Sequence, residues 1–232
     1  MRKNQSGNAL FLILIAVALF AALSYAVTQS GRGGGNIDRE NTEIAASQIT
    51  QYAELISQSV LRLRLINGCT ESELNFNFDS DGDGNVNNDA GDSYNNPNSP
   101  TDLSCHVFHP NGGGVPFQDL SQFSPTTGPQ GILIVGTTSV EDIGTPAPEL
   151  MLVSVITPEL CDVINRNLGI DPDNVDDNIA SGSGTLFTGT FTSVAVNGDD
   201  GGATSLPPGL ARFCMRRIPN DTFSYRHILI ER

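Results

Sequence analysis

Asp79, Asp81 and Asp83 stand at alternate positions, and Gly84, Asn85, Asn87 and Asp89 follow them. Carboxylates two residues apart on a tight turn can bring their oxygens to one point. A hard cation such as Ca2+ takes six to eight oxygen ligands at about 2.4 Å. Glycine at the sixth place allows the sharp bend such a turn needs, Asn85 offers its backbone carbonyl, and Asn87 offers a side-chain oxygen or a bridging water. Ala90 stands at the twelfth place, where a closing acid is wanted, so Asp89 or Asp92 must substitute. The competing reading is a solvated acidic turn, because Asp, Asn and Gly gather in turns whether or not a metal binds.

This spacing resembles the first half of an EF-hand-type loop. No paired helices flank it, so the expectation is a lone calcium loop in a domain outside the cytoplasm. Asp171, Asp173, Asp176 and Asp177 form a second acidic group with less regular spacing. His106 and His109 stand three apart and could face one metal on a helix, but Pro110 and the glycines after it predict a surface loop instead. There is no Ser-His-Asp order, Gly-x-Ser-x-Gly elbow, phosphate loop or dinucleotide fingerprint. The chain therefore reads as a non-enzyme.

Acidic residues number 26 against 12 basic ones, giving a formal net charge of -14. That balance repels phosphate backbones, and with no basic stripe it argues against a nucleic-acid partner. Cys69, Cys105, Cys161 and Cys214 show no Cys-x-x-Cys pair and no zinc-site spacing. An even cysteine count behind an export signal predicts two disulfides. Of the three possible pairings, Cys69 with Cys105 and Cys161 with Cys214 each close a loop within one region; four reduced thiols are the alternative.

Residues 8–28 carry no charge, and Arg2 and Lys3 precede them. About 20 such residues match the hydrocarbon core of a bilayer when helical, and the basic head is held on the cytoplasmic side. Cleavage after Ala26 would release a soluble protein; cleavage after Gly7 would leave the apolar segment on the mature chain, beginning at Asn8. A head of seven residues ending in Gly7 and running straight into an apolar helix resembles the leader of type IV pilins and pseudopilins. The resemblance covers roughly the first 67 residues, with a looser echo at the C-terminus. It implies processing by a prepilin peptidase, an inner-membrane anchor, and assembly with copies of itself or other pilin-like subunits into an extracellular or cell-surface filament. It also implies a C-terminal loop closed by Cys161 and Cys214. The family usually carries Glu as the fifth mature residue. Here that residue is Leu12, a departure shared with some tip-located pseudopilins.

These features need elements to position them. Residues 1–7 read as a leader, 8–29 as a transmembrane helix, 30–36 as a glycine-rich hinge, 37–68 as an amphipathic helix, and 69–232 as a β-rich extracytoplasmic domain. Ala45, Ile49, Tyr52, Ile56, Val60 and Leu63 form one apolar stripe at helical spacing. Residues 70–130 read as loop. Strands are predicted at 131–136, 150–156, 210–217 and 223–230, a strand or hairpin at 185–196, and a helix at 158–168 ending at Gly169. The fold class is α+β, with a long N-terminal helix packed on an antiparallel sheet. The function these elements imply is a structural subunit of a type IV pilus-like or type II secretion-like filament. The alternative is a membrane-tethered or secreted calcium-stabilised binding module that does not polymerise.

Overall fold

The computed structural model describes residues 6–30, 34–78, 94–125, 131–140, 142–171, 176–177, 186–192, 195–197, 209–217 and 221–232. It divides into two compact units, residues 1–42 and 43–232. The first unit contains helix α1 (Ser6–Ser30) and the start of α2 (Gly34–Leu65). Helix α1 has 25 residues and no charged one, and every described side chain from Leu10 to Tyr25 is exposed. At 1.5 Å per residue it is about 37 Å long. The transmembrane reading is not matched directly: among the described residues, no helix is long and apolar enough to cross a membrane. The described side chains of α1 stop short of both ends of the uncharged run. Helix α2 begins at Gly34, so part of the expected hinge is helical.

In the second unit the inner stripe of α2 is buried, with Ile49, Ile56, Val60 and Leu63 at 0 % exposure and Tyr52 beside them; Ala46 and Ala53 extend it. After α2 the chain makes a 3-10 turn (Glu71–Glu73) and long loops, including a second 3-10 turn (Ser121–Phe123). The strands are β1 (Leu133–Val140), β2 (Glu149–Ile156), β3 (Asp176–Asp177), β4 (Ala195–Asn197), β5 (Arg212–Arg217) and β6 (Thr222–Ile230). Helix α3 (Pro158–Leu168) follows β2. Sheet order is β3-β5-β6-β2-β1-β4. The four central strands pair antiparallel, as expected, while short β3 and β4 add parallel edges that the sequence reading did not predict.

Strand alternation gives the sheet two apolar faces. Ile134, Leu150, Leu152, Cys214 and Tyr225 join the α2 and α3 side chains in one core. Val135, Met151, Phe213, Met215 and Ile228 form a smaller cluster with Val140, Ile143 and Ile170 on the other face. Helix α3 follows the predicted signals: Thr157 accepts from the Leu160 N–H at its start, Pro158 opens it, and Gly169 closes it at φ 75°.

The segment 186–192 differs from the expected strand. Leu186 makes a single bridge to Val135, and among the described residues of this stretch only Ala195–Asn197 pairs as a strand. The cause is aromatic burial. Phe187 packs edge-on to Phe76, with centroids 6.1 Å apart, and lies 5.0 Å from Phe191. Both rings sit where a side chain at Gly136 would be; a Cβ there would come within 2.9 Å of each.

Candidate functional site

Two disulfides hold the second unit, Cys69–Cys105 and Cys161–Cys214, the pairing read from the sequence. The first organises a loop lobe. The Asn75 N–H donates to Cys105 O and the Val107 N–H to Asn75 O, forming an isolated bridge between Asn75 and His106. The Gly113 N–H donates to His106 O and the Val115 N–H to Val107 O. Glycine is required at 112, where a Cβ would lie 2.2 Å from His106 O.

His106 is the main correction to the sequence reading. Its loop is not helical, as predicted, yet the side chain is buried at 3 % exposure rather than on the surface. Its neighbour Cys105 draws it inward. Burial, helped by the nearby His109 and opposed by Asp102, pulls its pKa down to about 4. The two imidazoles are 6.4 Å apart and nearly perpendicular. Beside His106 lies a cavity of ≈ 310 Å³ bounded by Asn75, Asn96, Ser99 and Thr101. His106 Nδ1 and Ser99 Oγ are buried without a hydrogen-bond partner.

Of the predicted cation ligands, Asp79, Asp81, Asp83, Asn85, Asn87 and Asp89 all lie outside the described residues, as do Gly84 and Asp92. The residues on either side of that segment are described. Phe78 and Tyr94 are buried with ring centroids 6.0 Å apart, so the chain leaves and re-enters the core at one place. Phe78 stacks on Phe117 at 4.0 Å, and both meet Phe108 edge-on. Tyr94 Oη donates to Ile132 O and accepts from the Ile134 N–H, and burial pushes its pKa up to about 12. Among the described residues no group of three or more His, Cys, Asp and Glu side chains could hold a metal. In the second acidic group, Asp171 is exposed, Asp176 and Asp177 form β3, and Asp173 lies outside the described residues. Gly7 and Asn8 fall in the first turns of α1.

No protein-family model, curated protein or solved structure matches the chain.

Two interior titratable sites were missed by sequence reasoning, since only tertiary pairing creates them. Glu149 opens β2 fully buried, with neither carboxylate oxygen hydrogen-bonded. Burial pushes its pKa up to about 7; its own amide, the Val140 amide and the Arg232 charge act the other way, though neither amide reaches hydrogen-bonding geometry. On the α2 side of the sheet, Tyr225 Oη lies 3.0 Å from His227 Nδ1, and His227 Nε2 lies 3.9 Å from Glu54 Oε2, which Arg212 also meets at 3.3 Å. Burial lowers the His227 pKa to about 4, so the ring is neutral at physiological pH and the 3.9 Å approach is not an ion pair there. Tyr225 and His227 are buried, Glu54 and Arg212 are about half exposed, and together they tie α2 to β5 and β6.

Proposed function

We propose that this protein is a structural subunit of a type IV pilin-like filament, held in the inner membrane by its N-terminal helix before assembly. The observation that carries this reading is the uncovered apolar surface of α1, where every described side chain from Leu10 to Tyr25 is exposed. Large apolar surfaces on this scale mark a membrane or a partner. The sequence extends the uncharged run to residues 8–28, enough for a bilayer span. Further support comes from the α2 stripe buried against an antiparallel sheet and from a disulfide linking α3 to the penultimate strand. The outward side of α2 adds exposed Leu61 and Leu65, with Ile66 just beyond its end, apolar contacts of the kind a packed filament buries. In this account the acidic segment binds calcium and stiffens the surface-facing loops.

N-terminal sequencing of protein from the native host, in membrane and sheared-filament fractions, tests the proposal. The expected mature chain begins at Asn8 in both fractions. A mature chain that begins at Val27 and is recovered only in soluble form would sink it.

A further inference from the structure

We infer that residues 142–148, in the connection from β1 to β2, form a flap over Glu149 that stays shut while this side chain carries its proton and opens when it ionises. This goes beyond the filament proposal and does not depend on it. Strand pairing makes Glu149 easy to release. The Thr138–Glu149 pair is the last rung between β1 and β2, and a register shift between Val135 and Thr138 sets it apart from the Val135–Met151 rung. On the other side of β2 a second shift falls between Leu150 and Met151, at the end of the β6 ladder. An end rung isolated by such irregularities opens at less cost than the body of a sheet. Freeing it exposes Glu149 and leaves the β2–β6 pairs from Met151 to Ile156 in place. The flap itself is held by a small set of contacts. The Ile143 N–H donates to Val140 O, the Thr145 N–H donates to Arg232 O, and Arg232 Nη1 donates to Pro148 O at 3.3 Å. Ile143 and Pro148 are buried, whereas Asp142, Gly144, Thr145 and Pro146 are exposed.

The proton supplies the control. Glu149 is fully buried and neither carboxylate oxygen has a hydrogen-bond partner, so the closed site holds the neutral acid far better than the anion. Among the described residues the charges acting on it are Arg232, which favours the anion, and Glu231, which opposes it. The Arg232 guanidinium also meets Glu71 at 2.9 Å and lies over the Phe191 ring at 3.9 Å, so its charge is shared with Glu71. Strands β1 and β4 carry no titratable side chain, and β2 carries none besides Glu149. On β6 the nearest basic residues are Arg226 and His227, which pair with Val153 and Leu152 further along β2. Within the flap Asp142 is exposed, and Glu141 lies outside the described residues. Once the flap lifts, the carboxyl meets water and ionises as an ordinary glutamate does. The closed form therefore has its full advantage below the ordinary glutamate pKa. It loses that advantage as pH rises to about 7, the value to which burial raises the closed-state pKa.

The test follows amide hydrogen exchange by NMR in the isotope-labelled full chain in detergent, from pH 5 to 8. Protection of the Ile143 and Thr145 amides, corrected for intrinsic exchange, should fall about tenfold per pH unit up to about pH 7 and then level off. Amides in the middle of the β2–β6 ladder should not follow, which separates a flap from general unfolding. Glu149→Gln has no proton to lose, so its flap protection should be independent of pH. In the natural chain the Glu149 carboxyl carbon should titrate with its midpoint where the fall in protection ends. Should Glu149→Gln fail to fold, that coincidence and the ladder comparison decide alone. Flat flap protection in the natural chain, the same fall in Glu149→Gln, a carboxyl midpoint away from the break, or ladder amides losing protection in parallel would overturn the inference.

Discussion

Asn165 is a buried amide that behaves as a piece of β-strand. Its Nδ2 donates to Cys214 O and its Oδ1 accepts from the Cys214 N–H, each at 2.8 Å. Strand β3 covers only Arg216 and Arg217 along that edge of β5, so Asn165 pairs backbone that β3 leaves bare. Asn165→Ala orphans a buried donor and a buried acceptor, and is expected to cost about 2–4 kcal/mol in chemical unfolding. Asn165→Asp keeps the acceptor but loses the donor, and should destabilise at neutral pH as well. A loss under 0.5 kcal/mol for both variants would contradict this role. Glu149 leads to a pH prediction. Its folded pKa is raised to about 7, above that of an unfolded glutamate. The unfolded chain therefore releases this proton first as pH rises, and the contribution to stability, complete below the unfolded pKa, is lost progressively up to about pH 7. Unfolding free energies measured from pH 4 to 8 should decline across that window for the natural chain. They should decline less for Glu149→Gln, which has no proton to lose.

Helix α2 presents two apolar surfaces with different uses, and its substitutions should separate them. Leu63 is buried at 0 % exposure, so Leu63→Ala should cost about 2–5 kcal/mol through lost contacts and a residual cavity. Leu65 is 75 % exposed, so Leu65→Ser should leave the unfolding midpoint within about 0.5 kcal/mol while reducing filament yield in sheared fractions. Loss of stability from Leu65→Ser, or full filament yield without it, would reverse the assignment. The inner stripe was legible in the sequence because helical periodicity records burial directly. So were α3, whose Thr157, Pro158 and Gly169 each act locally, and β2 with β6, whose apolar runs are dense. The path of 186–192 was not legible. It depends on Phe187 and Phe191 finding the space above Gly136, a contact no local pattern encodes. The same holds for the cavity: Asn75, Ser99 and His106 are scattered along the chain and look like ordinary loop residues until the disulfide and the short bridge gather them. Burial of His106 had one local clue, its place next to Cys105.

At the scale of the whole molecule, a net charge of -14 means that any divalent cation could stabilise the fold merely by screening repulsion. A calcium site makes a narrower claim. An ion held by Asp79, Asp81 and Asp83 would offset their mutual repulsion directly. Calcium at a hundredfold excess over its Kd would add about 2.7 kcal/mol. In a chain of this size that corresponds to a rise of roughly 5–10 °C in Tm. Magnesium discriminates between the two explanations. It screens surface charge as well as calcium does, but it demands a smaller octahedral shell and surrenders water reluctantly, so an irregular carboxylate loop holds it poorly. Thermal unfolding of the full chain in detergent, with chelator, calcium or magnesium at matched ionic strength, should show the rise with calcium alone. Asp81→Asn should remove most of it, because the centre of the alternate-carboxylate row is lost while net charge changes by only one. Equal shifts with both ions would assign the effect to screening, and no shift with either would remove calcium from the protein's function.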